Sequence, residues 1–350
     1  MEIGSFFSSP KGLCKCDHDK TVISMLNEFN CNYYASGRFA IRDLIDFQNI
    51  TKVLLPEYVC ESIINCFDSV NIITYKLDNN LNINIDDVLS KMTDDVTCIF
   101  IIHYFGAIHQ DDKLQQISVC AKSKKIIIIE DTTHSIFSDP NTIGDYCICS
   151  LRKWFPIPDG AVLYSNKIYS LPKQKNEEID ISKVLSAMKL KDYYIENGID
   201  NKDLFRALIK EYENDLNQYT NSYKISRYSY SLLQVFDIIE IKTQRLNNYT
   251  HLKKYFLEKR IEPIVNIENG MYPFCFPIYV NKRNSLQRYL SENGIYCAVH
   301  WPSIKNNPSR NIISEKLAKH QLSLPIDQRY NIEDMEYILT KIDDHIEFIC

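Results

Sequence analysis

Apolar residues in this chain fall into short runs separated by stretches of mixed character. Lys52-Val53-Leu54-Leu55-Pro56 and Val70 to Tyr75 read as short strands, and Val96 to His103 as a buried one ending in Tyr104-Phe105-Gly106. Ile126-Ile127-Ile128-Ile129 has no polar alternation and stops abruptly in Glu130-Asp131, which predicts a fully buried strand of a parallel sheet. Between these runs the pattern turns helical. Tyr33 to Ile41 reads as a loop entering a helix that runs on to about Phe47, and Cys60 to Phe67, Ile85 to Met92 and Leu114 to Ser123 read as further helices. Strands and helices alternating at this spacing predict an α/β fold, with a largely parallel sheet and helices on both faces.

The pattern changes near Asn176. From there to Arg260 it is helical, polar and aromatic, with no clear strand. Beyond Ile261, strand-like runs (Phe274 to Val280, Tyr296 to His300) mix with helices. Ile332 to Phe348 places Met335, Ile338, Leu339 and Ile342 on one helical face. At 350 residues the chain exceeds the usual size of a single core. The expected division is a large domain over 1–240, whose 176–240 stretch serves dimer or substrate contacts, and a smaller α+β domain over 241–350.

Composition narrows the classes. A net charge of -5 argues against nucleic-acid binding, which needs a basic patch or stripe. No 18-residue apolar run suggests a membrane span, and the N-terminus lacks a basic region followed by an apolar one, so a cytoplasmic location is expected. Of 12 cysteines, Cys98, Cys120, Cys147, Cys149 and Cys275 lie in apolar stretches and read as small, buried, reduced hydrophobes. Cys14-Lys15-Cys16-Asp17-His18 has no second ligand pair at zinc spacing and reads as a surface loop, so no metal is expected.

Chemistry concentrates at two strand ends. Asp131 stands at the carboxyl end of the isoleucine strand, where open α/β sheets bind ligands. A second apolar stretch, Asp145 to Ser150, leads to Lys153 within Ser150-Leu151-Arg152-Lys153-Trp154. An aspartate and a lysine facing one pocket suit pyridoxal 5'-phosphate. The carboxylate holds a proton on the pyridine nitrogen, and the lysine binds the aldehyde as a Schiff base. Ser36-Gly37-Arg38, just before a helix, offers backbone N–H groups, a hydroxyl and a guanidinium to a phosphate. Serine is also an ordinary helix cap. His134 lies three residues past Asp131, where it reaches a ring oxygen or serves as a structural histidine. Taken singly, Asp131 reads as a solvated strand end and Lys153 as one of 40 basic residues; their joint placement carries the reading.

Ala35 to Ala40, Leu54 to Cys60, His103 to Gly106, Ile129 to Ser135 and Ser150 to Lys153 together resemble the DegT/StrS sugar aminotransferase family. Gly294 to Pro302 and Leu322 to Ile326 resemble its small-domain segments, so the likeness runs from about residue 30 to 345. The Glu-Asp-x-x-His element with the downstream lysine is its specific part. The resemblance implies a fold type I pyridoxal-phosphate enzyme with a seven-stranded-type sheet, working as a homodimer with shared active sites. It assigns Asp131 to the pyridine nitrogen, His134 to the ring hydroxyl and Lys153 to the Schiff base. Ser36, Gly37, Arg38, Cys60 and Ser150 complete the implied cofactor set.

Two features depart from the family pattern. Arg38 replaces the usual threonine, and Pro156-Ile157-Pro158-Asp159-Gly160-Ala161 replaces a Gly-Glu-Gly-Gly segment. Tyr58 and Tyr104 are the candidates for stacking on the ring, and a partner-subunit phosphate contact is expected near Ser226-Arg227-Tyr228-Ser229.

The implied activity is transfer of an amino group, with L-glutamate as donor, to a keto group of a nucleotide-linked sugar, in surface-polysaccharide or related biosynthesis. Ping-pong kinetics follow, because two half-reactions share the site. The Lys153 amine must be free of its proton to act at neutral pH, which requires its pKa to be lowered, by burial and by Schiff-base formation. A small phosphorylated ketone is an alternative substrate, and a non-catalytic binding protein an alternative class. Related dehydratases carry histidine in place of the lysine, and no Gly-x-Gly-x-x-Gly supports a dinucleotide enzyme.

Overall fold

The computed structural model describes residues 2–10, 18–109, 114–138, 142–302 and 312–349. Cys14 to Asp17 of the Cys-x-Cys-Asp-His run lie outside them. In chain order the first strands are β1 (Ile3–Gly4), β2 (Asn30–Tyr34), β3 (Lys52–Pro56), β4 (Asn71–Tyr75), β5 (Cys98–Ile102) and β6 (Ile127–Asp131). The rest are β7 (Tyr146–Cys149), β8 (Ala161–Ser165), β9 (Phe276–Tyr279), β10 (Ile295–Tyr296) and β11 (Gln321–Leu324). The early helices are α1 (Val22–Met25), α2 (Gly37–Phe47), α3 (Glu61–Ile64), α4 (Ile85–Lys91) and α5 (Leu114–Lys124). After them come α6 (Ser182–Asn197), α7 (Lys202–Gln218), α8 (Arg227–Leu233) and α9 (Ile238–Glu258). Last are α10 (Arg283–Glu292), α11 (Ile312–His320) and α12 (Ile332–Asp343).

Seven strands form one sheet in the order β2-β8-β7-β6-β5-β3-β4. The pairs β3–β4, β3–β5 and β5–β6 are parallel, whereas β8 runs antiparallel to both β2 and β7. All five residues of β5 and of β8 are buried, as expected of strands covered on both faces. By compactness the chain divides into two units. The first comprises Phe6–Gln48 and Tyr146–Ile239; the second comprises Glu2–Ser5, Asn49–Asp145 and Glu240–Cys350.

In the first unit, α2 begins where Ser36 accepts the Arg38 N–H, and it buries Phe39, Ala40, Ile41, Leu44 and Ile45. That apolar stripe is what holds an 11-residue helix on a sheet. Helices α6 and α7 follow, and α6 stops at Gly198 in the left-handed conformation. In the second unit, β9 and β11 pair antiparallel, and Phe276, Ile278, Leu322 and Leu324 share a core with Met335, Ile338, Leu339 and Ile342 of α12. Asn331 and Asp334 close a capping box that starts α12, a device worth about 1 kcal/mol.

Several expectations need correction. Tyr33 and Tyr34, expected in a loop, end strand β2, and β8 was not foreseen at all. The helix expected over Cys60 to Phe67 is one α-turn, Glu61–Ile64, continued by a 3-10 turn over Asn65–Phe67. Helix α12 ends at Asp343 and a separate 3-10 turn spans Ile346–Phe348. The strand expected over Tyr296 to His300 keeps only Tyr296, within β10, with an isolated bridge from Ala298 to Ser323. Cys98, Cys147, Cys149 and Cys275 are buried, but Cys120 is only half-buried, beside the exposed Val119 on α5. Among the described residues, no helix is long and apolar enough to cross a membrane, and no cluster of three His, Cys, Asp or Glu suits a metal.

Candidate functional site

The phosphate-type turn sits in the first unit. Strand β2 leads into Ser36, whose extended backbone and buried hydroxyl make it the N-cap of α2, accepting the Arg38 N–H at 3.4 Å. Gly37 is the first helical residue. A Cβ added there would meet only Ile148 Cγ2, at 4.0 Å, so packing within this chain does not require glycine. The open space lies over a helix N-terminus, where an anion meets unsatisfied N–H groups and the positive end of the helix dipole. The Arg38 guanidinium is turned elsewhere. It pairs with Glu213 at 2.8 Å and donates to Asn217, both on α7.

Strand β7 delivers the lysine. After Ser150, the 3-10 turn Leu151–Lys153 is anchored by Leu151, Trp154 and Phe155, each fully buried. Lys153 itself is exposed, and its amine makes no hydrogen bond or ion pair among the described residues. Gly160 brings the two turns of this unit together: its N–H donates to Ala35 O at 2.9 Å, and its carbonyl accepts the Arg152 N–H at 3.3 Å. Its φ of 142° and a would-be Cβ only 2.9 Å from Ile157 Cδ1 explain why glycine stands there.

Next to that glycine, Asp159 is fully buried and accepts from the Ser226 N–H at 2.8 Å, the Ser226 hydroxyl at 2.5 Å and the Ser229 hydroxyl. Burial raises its carboxyl above the usual range despite these donors. Ser226 and Ser229 are thus committed within the chain. Arg227 is the exposed cation of that segment, with Glu178 Oε1 3.5 Å from its Nε.

The second unit carries the other candidates at the ends of β5 and β6. Asp131 is half-buried, its Oδ1 accepts the Thr133 N–H at 2.9 Å, and its Oδ2 accepts no hydrogen bond among the described residues. His134 is buried. The Phe105 N–H donates to its Nδ1 at 3.4 Å, which makes Nδ1 the acceptor and leaves Nε2 as the ring nitrogen that would carry a proton. Phe274 stacks parallel on it at 4.2 Å, and Phe105 and Trp301 lie nearly parallel at 5.7 and 5.8 Å. The Phe105-Gly106 turn is pinned in place. Phe105 O accepts the Phe274 N–H at 3.0 Å, and Gly106, at φ 107°, leaves a would-be Cβ only 2.4 Å from Tyr272 O.

Neither stacking candidate is available at a surface. Tyr58 and Tyr104 are buried, with hydroxyls donating to His300 O at 2.7 Å and Tyr58 O at 2.6 Å. Cys60 is half-buried at the start of α3, its sulfur 3.0 Å from the Ser62 hydroxyl. Behind Asp131, Glu130 is buried and binds His103 Nε2 at 2.9 Å and the Ile143 and Gly144 N–H groups at 2.7 and 2.8 Å. Burial, then His103, holds the neighbouring His109 down to about 3.

This architecture has counterparts among solved structures. Helicobacter pylori PseC, described as an aminotransferase involved in the biosynthesis of pseudoaminic acid, is 12% identical with a TM-score of 0.66, covering 98% of this chain and 99% of its own. A DegT DnrJ EryC1 StrS aminotransferase from Brucella abortus is 13% identical with a TM-score of 0.63, covering 93% and 88%. The fold is that of the DegT/StrS aminotransferases. Bacillus subtilis NtdA, solved with bound cofactor PMP, is 16% identical with a TM-score of 0.66, covering 94% and 76%. No family model and no curated protein matches the chain in sequence.

On this aminotransferase fold, Glu213, Phe274 and Trp301 are residues that sequence reasoning passed over as site candidates. Only Trp301 had a signal, since it sits inside the Gly294 to Pro302 resemblance.

Proposed function

We propose that this chain is a pyridoxal-phosphate-dependent aminotransferase. The observation that carries the proposal is a pair of unengaged groups at two strand ends of this fold: Asp131 Oδ2 at the end of β6 and the Lys153 amine just after β7. The residues present suit the cofactor. Open space at Gly37 leaves room for a phosphate at the start of α2, and the His134 Nε2–H is a donor for a ring oxygen.

When bound, the cofactor supplies an electron sink for the carbon next to the donor nitrogen. Asp131 would hold the proton on its pyridine nitrogen, and Lys153 would bind its aldehyde and move the proton at the donor's α-carbon. Ser36, Gly37 and Arg38 would serve the phosphate through backbone N–H groups and the Ser36 hydroxyl, with Ser150 beside them. Cys60 would lie at the edge of the ring site.

For substrate we propose the keto group of a nucleotide-linked sugar, with L-glutamate as donor. The likeness to an aminotransferase of pseudoaminic acid biosynthesis supports this choice. A two-fold dimer in which Arg227 reaches the partner's phosphate completes the proposal. Its support is the exposure of Arg227 beside two serines committed to Asp159. The test is incubation of the cofactor-loaded protein with L-glutamate and a panel of keto-sugar nucleotides. Formation of 2-oxoglutarate with a matching amino sugar is expected; 2-oxoglutarate without an amino sugar contradicts the substrate reading, and cofactor binding with neither product contradicts transamination from L-glutamate.

A further inference from the structure

We propose that Glu213 on α7 is a positioning residue that ties the Ser36-Gly37-Arg38 turn to the Lys153 turn, so that one cofactor is held at phosphate and aldehyde in fixed relation. The inference rests on the cofactor reading above. Glu213 Oε2 lies 2.8 Å from the Arg38 guanidinium, and Oε1 lies 2.5 Å from that of Arg152. Those arginines are the sequence neighbours of Gly37 and Lys153, so a single carboxylate spans both segments.

Asn217, one helical turn beyond Glu213, takes a second nitrogen of Arg38. Burial alone would raise the Glu213 carboxyl, yet Arg152 and then Arg38 outweigh it and hold it down to about 2. The tie therefore stays charged throughout the working pH range. Removing that charge takes away the one carboxylate that both guanidinium groups share, leaving Asp159 as the nearby charge for Arg152, and the tie between the two turns weakens. The Gly160 backbone links join the same turns, so the loss of Glu213 loosens their spacing without unfolding the unit.

A merely structural ion pair and a positioning residue differ in one respect. Pyridoxal phosphate uses both turns, whereas pyridoxal, lacking the phosphate, uses only the lysine turn. Absorbance titration of the full chain, freed of cofactor, measures both affinities in wild type, Glu213→Gln and Glu213→Asp. The expected result is about tenfold weaker pyridoxal-phosphate binding in Glu213→Gln with less than a twofold change for pyridoxal, on the scale of one charge-assisted contact. Glu213→Asp, one methylene too short to span both guanidiniums, should fall between. Equal weakening of the two ligands, or no change in either, overturns the positioning role. If Glu213→Gln does not fold, Glu213→Asp decides alone by the same comparison. A wild-type protein that binds no pyridoxal phosphate overturns the cofactor reading instead.

Discussion

At Asp131 the two carboxylate oxygens differ in kind. Oδ1 is held by the Thr133 N–H, which fixes the side chain's direction, and Oδ2 stays open to a ligand. A carboxylate arranged this way suits a proton shared with a pyridine nitrogen, and asparagine would keep the shape while losing the charge. Asp131→Asn is expected to lower the rate of the glutamate half-reaction about a hundredfold or more, with little change in melting temperature. Stopped-flow absorbance and thermal melts check this, and near wild-type rates would reduce Asp131 to a solvated strand end. The open state of Oδ2 and the exposure of Lys153 were not legible beforehand. Sequence identifies an acid at a strand end, but only the turn that follows shows which oxygen is engaged.

At the scale of elements, the ends of β5 and β6 hold the second unit's candidates, and their shape depends on Gly106 and a buried histidine pair. Gly106→Ala combines a left-handed φ with a steric overlap on backbone, so a stability loss well above about 1 kcal/mol is expected by chemical denaturation. A loss within error would show that the 272–274 segment can give way. His109 is held neutral by burial, down to about 3, against 6.5 when unfolded. A base whose folded pKa is depressed contributes stability that is present above the unfolded value and lost as pH falls toward the folded one. Unfolding free energy should therefore decline as pH drops from about 6.5 to 3, and His109→Asn should flatten that slope by up to about 1.4 kcal/mol per pH unit. An unchanged slope would place the acid sensitivity elsewhere.

These elements also show where sequence patterns succeed. The isoleucine run, Lys52–Pro56 and the apolar face of α12 were legible because burial on both faces, or on one stripe, writes itself into residue type. Strand β8 and the end of β2 were not, because the antiparallel strands of a mixed sheet depend on long-range pairing. Glu213 was invisible for the same reason. An acid on an amphipathic helix 60 positions from Lys153 looks like any solvated residue until α7 is packed against both turns.

For the molecule as a whole, the proposal requires a cofactor, a substrate and a second copy of the chain. Light scattering of the cofactor-loaded protein is expected to give a dimer; a fully active monomer would refute the shared site. All of this depends on one bond between protein and cofactor. The most direct measurement is borohydride reduction of the protein loaded with pyridoxal phosphate, followed by peptide mapping. The expected result is loss of the visible absorption band and an adduct on Lys153 alone. An adduct on another lysine, or none, would contradict the account.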